Sequence, residues 1–169
     1  MGLEISAFEH ASPVIPCDQH DEDHEYTDHV IAWVDEGFER SLRGLQMGVC
    51  YDVVGEMTGF RAGSCTGYVA WREGLARRAL RISGWTVAKY PSLFVNQPFF
   101  ELIYFSDCQG TIGPEAASDL AADFGALRAK IAARPLADPV EEAWFMEVYD
   151  QLQSAFELAA GGGGLVKFD

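Results

Sequence analysis

Short alternating or continuous runs of apolar residues predict four β-strands. Polar and apolar residues alternate after Leu3, a period of two that is typical of a strand with one buried face. Runs rich in β-branched and aromatic residues, bounded by turn-forming residues, indicate the other strands. The predicted strands lie near residues 3–9, 30–34, 49–54 and 165–168. Two of them stand at opposite ends of the chain, and we expect these two to pair.

Apolar residues that recur at three- and four-residue steps predict four helices. These lie near residues 64–82, 98–105, 114–133 and 139–160. Ser64 can cap the first helix, because a hydroxyl there accepts a hydrogen bond from an amide of the first turn. Pro98 and Pro114 suit the first helical position, where no amide hydrogen bond is lost. The segment 85–97 is expected to be a loop.

The same spacing predicts which faces of the helices are buried. On the first helix the buried stripe includes Tyr68 and either Trp71 or Arg72. The arginines of this helix are expected on its other faces, and they are Arg72, Arg77, Arg78 and Arg81. On the last helix we expect Val140 to be buried and Glu142 to face water.

The order of these elements predicts an α+β fold. Strands stand at both ends and helices lie mostly after the middle, which favours a small, mostly antiparallel sheet packed with about four helices. The 169 residues are enough for one hydrophobic core and short for two, so we expect a single domain over residues 1–169. The stretch at about 17–29 is too charged for the core and is predicted to be an acidic surface loop.

The net charge of −14 narrows the classes of partner. Residues 1–40 hold 11 acidic residues and one basic residue. Residues 41–95 hold 3 acidic and 7 basic residues, and residues 96–169 hold 12 acidic and 4 basic residues. Such a field repels nucleic-acid phosphates and membrane surfaces, so we expect no direct nucleic-acid binding and no membrane association. It favours a basic protein partner. The alternative is that the charge serves solubility alone.

The four cysteines predict reduced thiols in a cytoplasmic protein. They stand at positions 17, 50, 65 and 108, without a C-x-x-C pair, and the first residues lack the pattern of a secretory leader. No apolar run approaches the roughly 20 residues that a membrane-spanning helix needs.

A polar loop between two apolar elements is the first candidate for chemistry. It contains Asp107, Cys108, Gly110 and Gly113, directly before a predicted helix. Backbone amides at that helix start can bind an anion or oxyanion, and a thiol there has a reason to ionise. In the alternative interpretation the aspartate bonds its own turn, the cysteine is a small buried apolar residue, and the glycines meet backbone requirements.

The acidic loop is the second candidate. Cys17, His20, His24 and His29 supply sulfur and nitrogen ligands that zinc accepts. Their spacing matches no closed zinc module, and a charged loop is more often solvated. We therefore expect no metal and no cofactor, with these four residues as the candidate ligands.

The third candidate is the glycine-rich segment before the first helix. Arg61 and Ser64 stand there as possible ligands of a phosphate or carboxylate. The segment lacks the P-loop and dinucleotide-binding patterns, and Arg61 can instead pair with one of the many acidic residues.

Several of these motifs together resemble an uncharacterised family of small proteins found in bacteriophage and prophage sequences. The matching stretches are Met1-Gly-Leu-Glu-Ile-Ser-Ala-Phe, Gly59-Phe-Arg-Ala-Gly-Ser64 with Gly67-Tyr68 and Trp71-Arg-Glu73, Phe100-Glu-Leu-Ile, Phe105-Ser-Asp-Cys-Gln-Gly-Thr-Ile-Gly-Pro114, and Ala155-Phe-Glu157. The residue after the cysteine is often acidic in that family, whereas here it is Gln109. The resemblance implies a phage-linked setting and supplies no catalytic residues.

Two functions remain open at this point. The first is a non-enzymatic acidic binding or inhibitor protein that acts on a basic host protein, such as a defence or nucleic-acid-binding protein. The second is a small enzyme or ligand-binding domain with its site at the Asp107/Cys108 loop. The charge and the resemblance favour the first.

Overall fold

The computed structural model describes residues 2–14, 29–106 and 109–169. In these residues the strands are β1 (Gly2–Pro13), β2 (His29–Ile31), β3 (Cys50–Ser64), β4 (Gly110–Ile112) and β5 (Leu165–Phe168). The helices are α1 (Cys65–Leu80), α2 (Gly84–Lys89), α3 (Phe100–Ile103), α4 (Pro114–Ala132) and α5 (Pro139–Gly162). Two short 3-10 turns stand at Glu39–Leu42 and Pro91–Leu93. The predicted α+β class is confirmed.

The sheet places the two ends of the chain side by side at its centre. Its order is β2-β3-β1-β5-β4, and each neighbouring pair is antiparallel. Ile5 of β1 lies opposite Phe168 of β5, and Phe8 lies opposite Leu165. The predicted pairing of the terminal strands is therefore confirmed.

Strand β3 is much longer than the predicted strand at 49–54. It continues to Ser64 and pairs with β1 along its length, with register shifts that mark bulges. Gly55 has a φ of 71° and Gly63 a φ of 92°, which side-chain-bearing residues rarely adopt. These glycines interrupt the period-two pattern, while the partner strand keeps the backbone extended.

Four short elements differ from the sequence-based prediction. Strand β2 ends at Ile31, whereas the predicted strand continues to residue 34. Helix α2 begins at Gly84 and occupies the first part of the expected loop at 85–97, and β4 lies within the candidate loop before α4. Helix α3 covers only Phe100–Ile103 of the predicted 98–105, because Phe99 has a left-handed backbone with a φ of 60°. Elements of three to six residues are too short to show a hydrophobic period.

The core lies between the sheet and the helices α1, α4 and α5. Its largest fully buried side chains are aromatic, and they are Trp71, Tyr68, Tyr149, Phe99, Phe124, Phe145, Phe156 and Phe168. Rings of α4 and α5 meet edge to face, with the centroids of Phe124 and Tyr149 4.6 Å apart. Such pairs stabilise a core beyond the area that they bury.

Arg78, which was expected on an exposed face of α1, is buried, and so is Arg72, which the spacing left as an alternative to Trp71 in the buried stripe. Arg72 and Arg78 are each 5% exposed. Arg72 donates to the carbonyl of Phe105 at 2.6 Å. Arg78 forms an ion pair with Glu142, and its guanidinium lies 4.0 Å from the centre of the Phe145 ring. Buried charges are tolerated when they are hydrogen-bonded or paired, and Arg72 is hydrogen-bonded to a carbonyl while Arg78 is paired with a carboxylate.

The start of α5 also corrects the prediction. Val140 is 77% exposed, and Glu142 turns inward to Arg78 and accepts from the amide of Leu136 at 2.8 Å. Burial acts to raise the pKa of Glu142, but these two hydrogen bonds outweigh it, and the pKa is lowered.

Across the described residues, no helix is both long and apolar enough to cross a membrane.

Candidate functional site

Three adjacent cavities form one groove beside α1, α2, α3 and the first 3-10 turn. Their volumes are about 600, 230 and 340 Å³. The first two share Phe38 and Tyr104 in their walls. The second and third share Arg40, Val95 and Glu101. We call them the apolar, middle and acidic compartments of the groove.

The apolar compartment is the largest of the three. Its apolar lining residues are Phe38, Val69, Ala70, Trp85, Ala88, Ile103, Tyr104 and Phe105. Two of the large side chains in this lining are exposed to water, since Trp85 is 67% exposed and Val69 is 40% exposed. Large apolar side chains grouped at an exposed cavity are typical of binding surfaces.

Local capping fixes the helix that carries Trp85. The hydroxyl of Ser83 accepts from the amide of Thr86 at 3.2 Å, which caps α2. Glu73 of α1 accepts from the amide of Gly84 at 2.6 Å and from the guanidinium of Arg77 at 2.6 Å. These contacts hold α2 against α1. They also leave the carboxylate of Glu73 neutralised.

The middle compartment is bounded by stacked and tilted aromatic rings. The ring centroids of Phe38 and Tyr104 are 4.9 Å apart, and those of Phe100 and Tyr104 are 5.4 Å apart. Pro91 and Ser92 complete one side of the cavity. This compartment joins the apolar end of the groove to the charged end.

The acidic compartment is built around the buried carboxylate of Glu101, which is 6% exposed. Glu101 accepts from Arg40 at 2.7 Å and from Arg43 at 3.2 Å. Arg43 also donates to Asp119 at 2.6 Å. Asp123 lines the same cavity, so the carboxylates of Glu101, Asp119 and Asp123 outnumber the guanidinium groups of Arg40 and Arg43 that contact them. The compartment therefore carries an excess negative charge.

Asp123 carries that excess charge. Its carboxylate accepts from the backbone amide of Phe99 at 2.7 Å, and no Lys or Arg of the described chain pairs with it. Burial raises the pKa of Asp123 above its usual value, and the charges of Glu101 and Asp119 raise it further, against the lowering effect of the amide. A negative potential at this point favours a cationic ligand.

Ser64 caps helix α1, and Arg61 is exposed to water. The hydroxyl of Ser64 accepts from the amide of Gly67 at 3.0 Å, which confirms the predicted cap. Arg61 is exposed on β3 and lies opposite Glu4 of β1. Neither side chain lines the groove, and a ligand-binding role for the pair stays a prediction.

Gly110 and Gly113 are both enclosed by packing. Gly110 has a φ of 130°, and a Cβ added there would stand 3.1 Å from the ring of Phe105. The amide of Gly113 donates to the carbonyl of Ser41 at 2.8 Å, and the amide of Glu115 donates to the carbonyl of Arg43 at 3.2 Å. These two backbone donors at the start of α4 are thus engaged within the fold.

Five of the candidate residues lie outside the described part of the chain, and they are Asp107, Cys108, Cys17, His20 and His24. Their proposed catalytic and metal-binding roles therefore stay predictions.

Two further observations concern the metal and thiol predictions. The fourth metal candidate, His29, contacts Asp52, with 2.6 Å between Nδ1 and Oδ1. Within the described ranges, no three His, Cys, Asp or Glu side chains gather as a metal site would require. Cys50 is a buried thiol, whereas Cys65 is disulfide-bonded, so the expectation of four reduced thiols is wrong for Cys65.

Sequence reasoning missed the groove. Trp85 fell in a segment predicted to be a loop, and Asp119 and Asp123 appeared as ordinary polar positions of a helix. One signal was present in the sequence, because Trp85, Tyr90 and Leu93 form an apolar group with no helical stripe to bury it. In the structure all three are exposed, and of the three only Trp85 lines the described groove.

The fold and the groove together define an α+β protein with a surface groove that is apolar at one end and charged at the other. Comparison with protein-family models, with curated proteins and with solved structures finds no match in any of the three.

Proposed function

We propose that this protein is a non-enzymatic acidic binding protein that occupies a basic site on a protein partner. The resemblance to phage and prophage proteins makes a host protein the expected partner, with inhibition of a defence or nucleic-acid-binding protein as the expected effect. The observation that carries the proposal is that most basic side chains form contacts within the molecule, whereas many carboxylates are exposed to water.

Contacts between described residues engage ten of the twelve basic side chains within the molecule. Among these contacts, six basic side chains meet carboxylates, and they are Arg40, Arg43, Arg77, Arg78, Arg128 and Lys167. Three donate to backbone carbonyls, and they are Arg72, Lys130 and Arg134. The ammonium of Lys89 lies 4.8 Å from the centre of the Trp85 ring. The cations are thus taken up by internal contacts.

Many carboxylates, in contrast, face water. In the described part of the chain, several exposed glutamates contact no Lys or Arg, and they are Glu36, Glu39, Glu115, Glu141, Glu147 and Glu157. A surface whose cations are neutralised and whose anions are exposed attracts basic partners over a Debye length. Electrostatic complementarity of this kind supplies association rate and specificity.

The test is capture of a partner by the whole protein from a lysate of its host, with a charge-reduced control. The control changes the six exposed glutamates above to glutamine, and circular dichroism checks its fold. Capture is carried out at about 0.05 M and about 0.15 M salt, because screening of exposed charges strengthens between the two.

The expected result is a basic protein that wild type retains in stoichiometric amount, that the control retains weakly, and whose dissociation constant rises with salt. Retention of no stoichiometric partner at the lower salt overturns the proposal. So does a partner that both proteins bind equally.

A further inference from the structure

We infer that the groove is the docking site for a basic amphipathic segment of the partner, with an apolar side chain in the apolar compartment and a lysine or arginine in the acidic compartment. This inference rests on the proposed function and names the surface and the chemistry of recognition. The supporting observation is that the lining of the groove changes from apolar residues at one end to charged residues at the other.

The apolar end can hold an anchoring side chain. Trp85 and Val69 are exposed at the compartment of about 600 Å³, and α2 holds Trp85 in place through its contacts with α1. A cavity of this size lies in the range of ligand pockets and has room for a large apolar side chain. Exposed aromatic residues at a preformed cavity are the usual centres of binding energy.

The other end selects charge. Glu101 and Asp119 already share Arg40 and Arg43, so an arriving cation meets Asp123, whose protein partner is a neutral amide. Glu36 and Glu39 add exposed carboxylates on either side of Gly37 and Phe38, which line the groove. A cation next to an apolar anchor therefore fits, whereas an anion meets repulsion.

The experiment measures binding of three labelled peptides to the whole protein by fluorescence anisotropy. The first is a leucine–lysine peptide patterned as an amphipathic helix, the second is oligolysine of equal charge, and the third is the leucine–glutamate counterpart of the first. Trp85→Ala removes the anchor surface. Asp123→Asn removes the charge but keeps an oxygen that accepts from Phe99.

Matched controls keep the test specific. Val140→Ala removes an exposed apolar side chain of α5, and Glu4→Gln removes an exposed charge of β1, both away from the residues that line the groove. Trp85 is mostly exposed, so its substitution leaves the core intact, and thermal unfolding verifies this.

The expected result is that the leucine–lysine peptide binds more tightly than oligolysine. Trp85→Ala weakens its binding about tenfold and Asp123→Asn about threefold, while both controls leave it unchanged. The leucine–glutamate peptide does not bind.

Three outcomes overturn the docking site. Equal binding of oligolysine and the leucine–lysine peptide, equal binding by all variants, or binding of the leucine–glutamate peptide would each do so. The first two leave the proposed acidic binding function in place, since lysate capture tests that function separately. Failure of both basic peptides, together with no captured partner, overturns both.

Discussion

The amide of Phe99 donates to the carboxylate of Asp123 at 2.7 Å, and this bond joins a strained turn to the acidic compartment of the groove. Phe99 is fully buried and has a φ of 60°, a left-handed conformation that is uncommon for residues other than glycine. Asp123 therefore has two roles, because it satisfies a buried donor at a strained position and holds the charge that faces the groove.

The first prediction separates these two roles. Asp123→Ala leaves the Phe99 amide without its acceptor, which lowers the free energy of unfolding by about 1–3 kcal/mol. Asp123→Asn keeps an acceptor and costs much less. Urea unfolding at neutral pH measures both. Equal losses in the two variants would show that the carboxylate charge, rather than the hydrogen bond, stabilises the turn.

The second prediction concerns the pH dependence of Asp123. Its pKa is raised in the folded state, so the folded protein holds this proton more tightly than the unfolded chain does. The contribution of Asp123 to stability therefore falls as pH rises from the usual value of 3.8 through the raised pKa. Asparagine does not titrate, and Asp123→Asn gains stability relative to wild type across that window. Unfolding curves of the two proteins at several pH values measure the difference.

The third prediction concerns Glu142, whose pKa is lowered in the folded state, so its contribution to stability changes with pH in the opposite direction to that of Asp123. Its folded pKa is lowered by Arg78 and the Leu136 amide against the effect of burial, so its contribution is present above 4.5 and is lost as pH falls through the lowered pKa. Glu142→Gln weakens the charge-assisted bond to a guanidinium that is 5% exposed, at a cost of about 1.5–3 kcal/mol at neutral pH. That cost shrinks in acid, as the same unfolding series measures. A cost independent of pH would contradict the ion pair.

The fourth prediction compares two buried tyrosines. Tyr149 donates its hydroxyl to the carbonyl of Phe124 at 2.6 Å, whereas the Tyr68 hydroxyl is buried without a hydrogen-bond partner in the described structure. Burial raises the pKa of both hydroxyls. Tyr149→Phe is expected to lose about 0.5–1.5 kcal/mol of stability. Tyr68→Phe is expected to lose none, since it removes an unsatisfied polar group. A large loss in Tyr68→Phe would reveal a partner for that hydroxyl.

The fifth prediction compares two glycines of the α4 region. A Cβ on Gly113 would clash with the carbonyl of Arg43 and stand 2.8 Å from that of Leu42, so Gly113→Ala is expected to cost about 1–3 kcal/mol. Gly125 lies inside α4 with nothing within 4 Å of an added Cβ. Gly125→Ala is expected to stabilise the protein by about 0.5–1 kcal/mol. Differential scanning calorimetry of the two variants measures the expected loss and the expected gain of stability. Equal changes of stability in both variants would contradict the packing of Gly113.

The groove depends on contacts that no local pattern predicts. Arg40 and Glu101 are 61 residues apart, and Arg43 and Asp119 are 76 apart. Each is an ordinary charged residue in its own segment. Their meeting depends on how the first 3-10 turn, α3 and α4 pack, and the folded chain alone sets that arrangement.

The sequence by itself determined the α+β class, the terminal strand at 165–168 and the two long helices. Helices α4 and α5 were predictable because a proline at the first position and a repeating apolar stripe act within a few residues of each other. Tertiary structure alone decided the length of β3, the burial of Arg72 and Arg78, and the groove. Pairing of strands and neutralisation of charges depend on partners far along the chain, and a local pattern carries no information about which partner is met.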